Sequence, residues 1–73
     1  MSKSIYSKEY RNIIERLKTA RIESGLKQEE VAAKLKKPQS YISKIERGER
    51  RVDAAELKEL AKILKKDVSY FLS

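Results

Sequence analysis

The chain has 73 residues, 40% of them charged, a formal net charge of +7, and neither Cys nor His. That length bounds it to one domain with little room for a substrate pocket beside a core. The missing residue types exclude disulfide frameworks, zinc fingers and Cys or His catalysis, and the carboxylates come with no pocket-forming architecture or nucleophile–base arrangement, so no metal, cofactor or enzymatic activity is expected. The only breakers are Gly25, Pro38 and Gly48, and no stretch alternates with strand periodicity, which predicts an all-α fold. Residues 1–7 are predicted to form an N-terminal arm and residues 8–73 the domain. Ser7 is suited to cap a first helix over Lys8 to Ser24. Tyr10, Ile13, Ile14, Leu17 and Ala20 form its apolar stripe, and Gly25 is placed to end it. A second helix is predicted over Gln28 to Leu35, with Val31, Ala32 and Leu35 inward. After the turn Lys36-Lys37-Pro38, a third runs over Gln39 to Arg47, with Ile42 and Ile45 inward and Gly48 ending it. Asp53 and Glu56 have capping-box spacing, with Val52 and Leu57 as the staple, so a fourth helix follows to about Lys65. Val68 to Leu72 is a short apolar piece of a final helical turn or two.

The positive charge is concentrated. Lys34 to Arg51 holds seven basic residues against Glu46 and Glu49, a net +5, leaving +2 for the other 55 residues. A localised basic surface points to a polyanion. The cluster spans a turn and two helix ends rather than one amphipathic helix, which argues against a membrane surface. No apolar run approaches the ~20 residues of a membrane span, and Met1 to Tyr6 lacks the apolar stretch of a signal peptide, so a cytoplasmic protein is expected.

Two short helices joined by a three-residue turn, with apolar residues at 31, 35, 42 and 45 and a small Ala32 at the crossing, describe a helix-turn-helix. In Gly25-Leu26-Lys27-Gln28-Glu29-Glu30-Val31-Ala32, then Gln39 through Gly48, then the Leu57 to Leu64 helix, the chain resembles the lambda-repressor and Cro type of helix-turn-helix family. The resemblance covers residues 10–71 and implies a compact five-helix DNA-binding domain. One position departs from it. Lys36 stands where the family usually has Gly, in a left-handed conformation that costs a non-Gly residue roughly 1–2 kcal/mol. The turn is therefore expected to be strained, with Pro38 partly offsetting this through a fixed φ suited to the first turn of the third helix.

If Ile42 and Ile45 face the core, helical spacing leaves Gln39, Ser40, Ser43, Lys44 and Arg47 on the open face. Gln can pair with adenine N6 and N7, Lys with guanine O6 and N7, and Ser with several partners. The resemblance implies base contacts for Gln39, Ser40 and Lys44, a phosphate contact for Gln28, and a structural pair, Arg21 and Glu46, linking the first and third helices. Tyr41 has three readings: packing on the second helix, touching a phosphate, or meeting a thymine methyl. Lys37 adds charge beside the DNA, and Arg47, Arg50 and Arg51 are expected to grip the backbone.

One such domain reads few base pairs, so a dimer on two half-sites of double-stranded DNA is expected. Val68, Tyr70, Phe71 and Leu72 are the candidate interface, with Ile63 beside them; the alternative is that they close the monomer core. The function implied is a dimeric transcriptional regulator, of repressor or restriction–modification controller type, controlled by concentration and dimerisation. Its binding should be steeply salt-dependent, with a log–log slope of about −5 for six neutralised phosphates. The alternative is a protein-interaction module, such as an antitoxin whose main surface binds a toxin.

Overall fold

Ser7 opens the first helix: its hydroxyl oxygen accepts a hydrogen bond from the Tyr10 backbone N–H at 3.1 Å. This computed structural model describes residues 7–72, so of the arm expected over residues 1–7 all but Ser7 lies outside the described residues. The described chain runs α1 (Lys8–Glu23), α2 (Gln28–Lys34), α3 (Gln39–Glu46), α4 (Ala54–Leu64) and α5 (Val68–Leu72), with no strand among the described residues. The all-α, five-helix expectation is what the structure shows. The first four helices each stop one residue before the expected end, because Ser24, Leu35, Arg47 and Lys65 are C-caps.

Apolar spacing sets the packing. Leu17 and Ala20 of α1, Val31 and Ala32 of α2, Ile42 and Ile45 of α3, and Leu57, Leu60, Ala61 and Leu64 of α4 meet in one core. The alanines present almost no surface, and their small side chains let the helix backbones approach closely where larger ones would hold them apart. The start of α4 is the capping box read from sequence. The Asp53 carboxylate accepts from the Glu56 N–H at 2.8 Å, and Glu56 returns the bond from the Asp53 N–H at 3.0 Å. A further tie joins α1 to the loop before α4: the Val52 N–H donates to the Tyr10 hydroxyl oxygen at 2.6 Å.

α1 to α4 close with the same paired bonds, in which two successive amides past the helix reach back to its last turn. After α2, the Lys36 and Lys37 amides donate to the Ala33 and Ala32 carbonyls at 3.0 and 2.9 Å. After α4, those of Lys65 and Lys66 donate to Lys62 and Ala61 at 3.2 and 2.9 Å. This closure needs a left-handed residue. Gly25 and Gly48 supply it at two ends, but Lys36 and Lys65 do so at the other two, each at φ +59°. The strained position anticipated at Lys36 is therefore real, though both bonds of the turn are intact. Pro38 is the N-cap of α3 and not a residue of its first turn. Lys65 lies outside the basic 34–51 segment and isolates the cost of a left-handed side chain. Lys65→Gly is expected to raise the urea midpoint, by about 1 kcal/mol of stability. An unchanged or lower midpoint would contradict the strain assigned there.

Candidate nucleic-acid interface

α3 has two faces. Tyr41, Ile42 and Ile45 are buried, whereas Gln39, Ser40, Lys44 and Arg47 are exposed and Ser43 is half-buried. Exposed Lys36 and Lys37 precede α3 in the turn, and half-buried Arg50 and exposed Arg51 follow it in the next loop. The side chains proposed as readers therefore share one face of the helix.

A polar chain ties this face to the core. The Arg21 guanidinium donates to both oxygens of Glu46, from Nε to Oε2 at 2.6 Å and from Nη2 to Oε1 at 3.1 Å. The pair is nearly enclosed, with side-chain exposures of 14% and 7%, and Arg21 also donates to the Leu26 carbonyl at 2.9 Å. This is the α1–α3 link read from sequence. Gln28 adds a connection that was not expected: its Nε2 donates to Glu46 Oε1 at 2.9 Å, and its Oε1 accepts from Gln39 Nε2 at 3.2 Å. The Gln28 side chain, expected on a phosphate, thus bridges Glu46 to the first residue of α3.

Tyr41 resolves toward packing. It is 6% exposed, with Arg50 over one part of its ring at 4.5 Å and Lys37 at 5.3 Å, a cation–π arrangement that joins the turn to the loop after α3. Burial, with the neighbouring Glu56 carboxylate next, pushes the Tyr41 hydroxyl up to about 12. The unfolded phenol ionises near 10, so above that pH the unfolded chain loses its proton first. Stability from this group is full below pH 10 and is lost between about pH 10 and 12. Tyr41→Phe should flatten this alkaline limb in urea titrations; an identical limb in the variant would exclude Tyr41 as its source.

The arginines differ from one another. Arg50 pairs with Glu56 at 3.2 Å and donates to the Arg51 carbonyl at 3.2 Å, so it fastens the loop to the start of α4. Arg47 remains on the surface, forked on Glu49 at 3.1 and 3.3 Å and donating to the Ser43 hydroxyl at 2.9 Å. Arg51 is exposed and lies 5.6 Å from the Tyr10 ring centre.

In α5, Phe71 corrects the interface read from sequence. It is 1% exposed and belongs to the core, edge-on to Tyr70 at 5.0 Å, because the short helix turns this ring onto the bundle. Arg16 fixes the same helix by donating to the Tyr70 carbonyl at 3.2 Å. Val68 and Tyr70 are half-buried, and Leu72 is 59% exposed. The monomer-closing alternative therefore holds for Phe71.

Among the described residues there is no cluster of His, Cys, Asp or Glu able to hold a metal ion, and no helix long and apolar enough to cross a membrane. A buried-backed helix with a polar outer face, seated across a second helix by a tight turn, defines a helix-turn-helix DNA-binding domain. The profile of the helix-turn-helix family matches residues 17–71, and the chain belongs to that family of DNA-binding transcription regulators.

Solved structures agree. An XRE-family-like protein from Pseudomonas syringae pv. tomato is 36% identical with a TM-score of 0.82, the match covering 88% of this chain and 78% of that one. A single-residue mutant of the restriction–modification controller protein C.Esp1396I is 33% identical with a TM-score of 0.80, covering 89% and 88%. The controller protein C.AhdI from Aeromonas hydrophila is 28% identical with a TM-score of 0.75, covering 89% and 99%. No curated protein sequence matches the chain.

Proposed function

We propose that the protein is a homodimeric regulator that binds a two-fold operator in double-stranded DNA, with α3 in the major groove of each half-site. The observation that carries this reading is the division of α3. Ile42 and Ile45 anchor it, while Gln39, Ser40 and Lys44 stand exposed on one face, and basic residues precede and follow the helix in the chain. Gln39 and Lys44 are the base readers, with Ser40 and Ser43 beside them. Lys37, Arg47 and Arg51 hold phosphates, Arg47 by exchanging the Glu49 carboxylate for a phosphate oxygen. Arg50 contributes charge while holding the loop. The likeness to two restriction–modification controller proteins supports a regulator of that type. Exposed Leu72 and the outer edges of Val68 and Tyr70 support a contact between two copies.

Selection of bound sequences from a random duplex pool tests the proposal. The expected product is a symmetric motif whose half-sites lie about one helical turn, roughly 34 Å, apart. No enrichment, or enrichment of a single asymmetric half-site, would contradict it.

A further inference from the structure

The two ends of a glutamine amide have the same shape and opposite hydrogen-bonding sense, so packing alone does not decide which end Gln39 turns outward. The chain of bonds behind it does. Glu46 is a carboxylate held by Arg21, and it can only accept. Gln28 must therefore turn its Nε2 toward Glu46, as it does at 2.9 Å. That leaves Gln28 Oε1 facing Gln39, which must answer with a donor, its Nε2 at 3.2 Å. The order of donors and acceptors is dictated from the interior outward.

We infer that Glu46, acting through Gln28, is a positioning residue that sets the donor–acceptor order Gln39 presents to a base pair and so selects adenine over guanine there. The inference rests on the reading above that Gln39 faces the major groove. One Nε2–H of Gln39 is engaged by Gln28. Its Oε1 and second N–H remain side by side, an acceptor for adenine N6–H and a donor for adenine N7. Guanine offers two acceptors, O6 and N7, and would set O6 against Gln39 Oε1. The half-buried pair thus reaches base selection although neither of its members lies on the open face of α3.

Glu46→Gln reverses the order. Its single oxygen is claimed by Arg21 Nε, which makes the shorter bond, and its NH2 then faces Gln28. Gln28 must accept, turn its own NH2 toward Gln39, and engage Gln39 Oε1. Gln39 is left presenting donors, which suit guanine.

The test compares binding of selected duplexes carrying A·T or G·C at each position, for the intact chain and for Gln39→Ala, Gln28→Ala, Glu46→Gln and the double variant Gln28→Ala/Glu46→Gln. Each is measured at a temperature where circular dichroism shows it folded. Gln39→Ala identifies the position read. At that position Glu46→Gln and Gln28→Ala should each lower the preference for adenine over guanine by about tenfold. The positions read by Ser40 and Lys44 should be unaffected. The double variant should lose no more discrimination than Gln28→Ala alone, because Glu46 acts through Gln28. Weaker binding to every duplex with the preference unmoved would make Glu46 purely structural and overturn the relay. If Glu46→Gln fails to fold, Gln28→Ala retains the ion pair, and an unchanged preference in it overturns the relay equally. A motif untouched by Gln39→Ala would instead remove the reading beneath it.

Discussion

Phe71→Ala is expected to remove about 3–5 kcal/mol, roughly half or more of the stability of the domain. At on the order of 0.1 kcal/mol per residue, a chain of 73 residues holds only about 7 kcal/mol in total. The loss is large because Phe71 is 1% exposed and anchors a helix of five residues. A helix that short does not persist on its own hydrogen bonds, so its position depends on tertiary packing. Without the ring, α5 detaches and uncovers the side of α1 that it packs on. Leu72→Ala, one residue later and largely exposed, should change stability by no more than about 0.5 kcal/mol. Urea unfolding of the two variants separates core from surface in this segment. Equal effects would contradict the assignment of Phe71 to the monomer core.

The second large effect concerns Arg21. Arg21→Ala should destabilise by about 3 kcal/mol, because it leaves the Glu46 carboxylate enclosed without its cation. The Leu26 carbonyl also loses its guanidinium donor. Desolvation makes such a pair costly to break but of modest net value, so replacing both partners by apolar side chains should restore most of the loss. The expected pattern is a low urea midpoint for Arg21→Ala and a midpoint near the original for Arg21→Met/Glu46→Leu. A double replacement as unstable as the single one would mean that this pair does more than satisfy itself. Such a protein should still read DNA less selectively, since the bond from Gln28 to Glu46 would be gone.

Much of this molecule is legible in its residues because local signals and tertiary needs agree. Ser7, Gly25, Gly48 and the Asp53–Glu56 box mark helix ends by their own chemistry, and the spacing of Ile42 and Ile45 assigns the faces of α3. Lys65 is the counterexample: lysine has no left-handed preference, so the closure of α4 carries no local signal and is imposed by packing. Arg50 reads as one of a row of basic residues, yet the fold sets it beside Glu56, six positions away across a loop. Gln28 and Gln39, eleven residues apart, are joined only once the turn has brought α2 and α3 together. Phe71 could be read as interface or core from its apolarity alone, and the direction taken by α5 decides for core.

The central claim is that the outer face of α3 meets DNA. Titrating a selected duplex into isotope-labelled protein and following backbone amide shifts tests it most directly. The largest changes should fall on Gln39, Ser40, Ser43 and Lys44, with smaller ones at Lys36, Lys37, Arg47 and Arg51. Changes concentrated on α4, with those four amides still, would contradict the account.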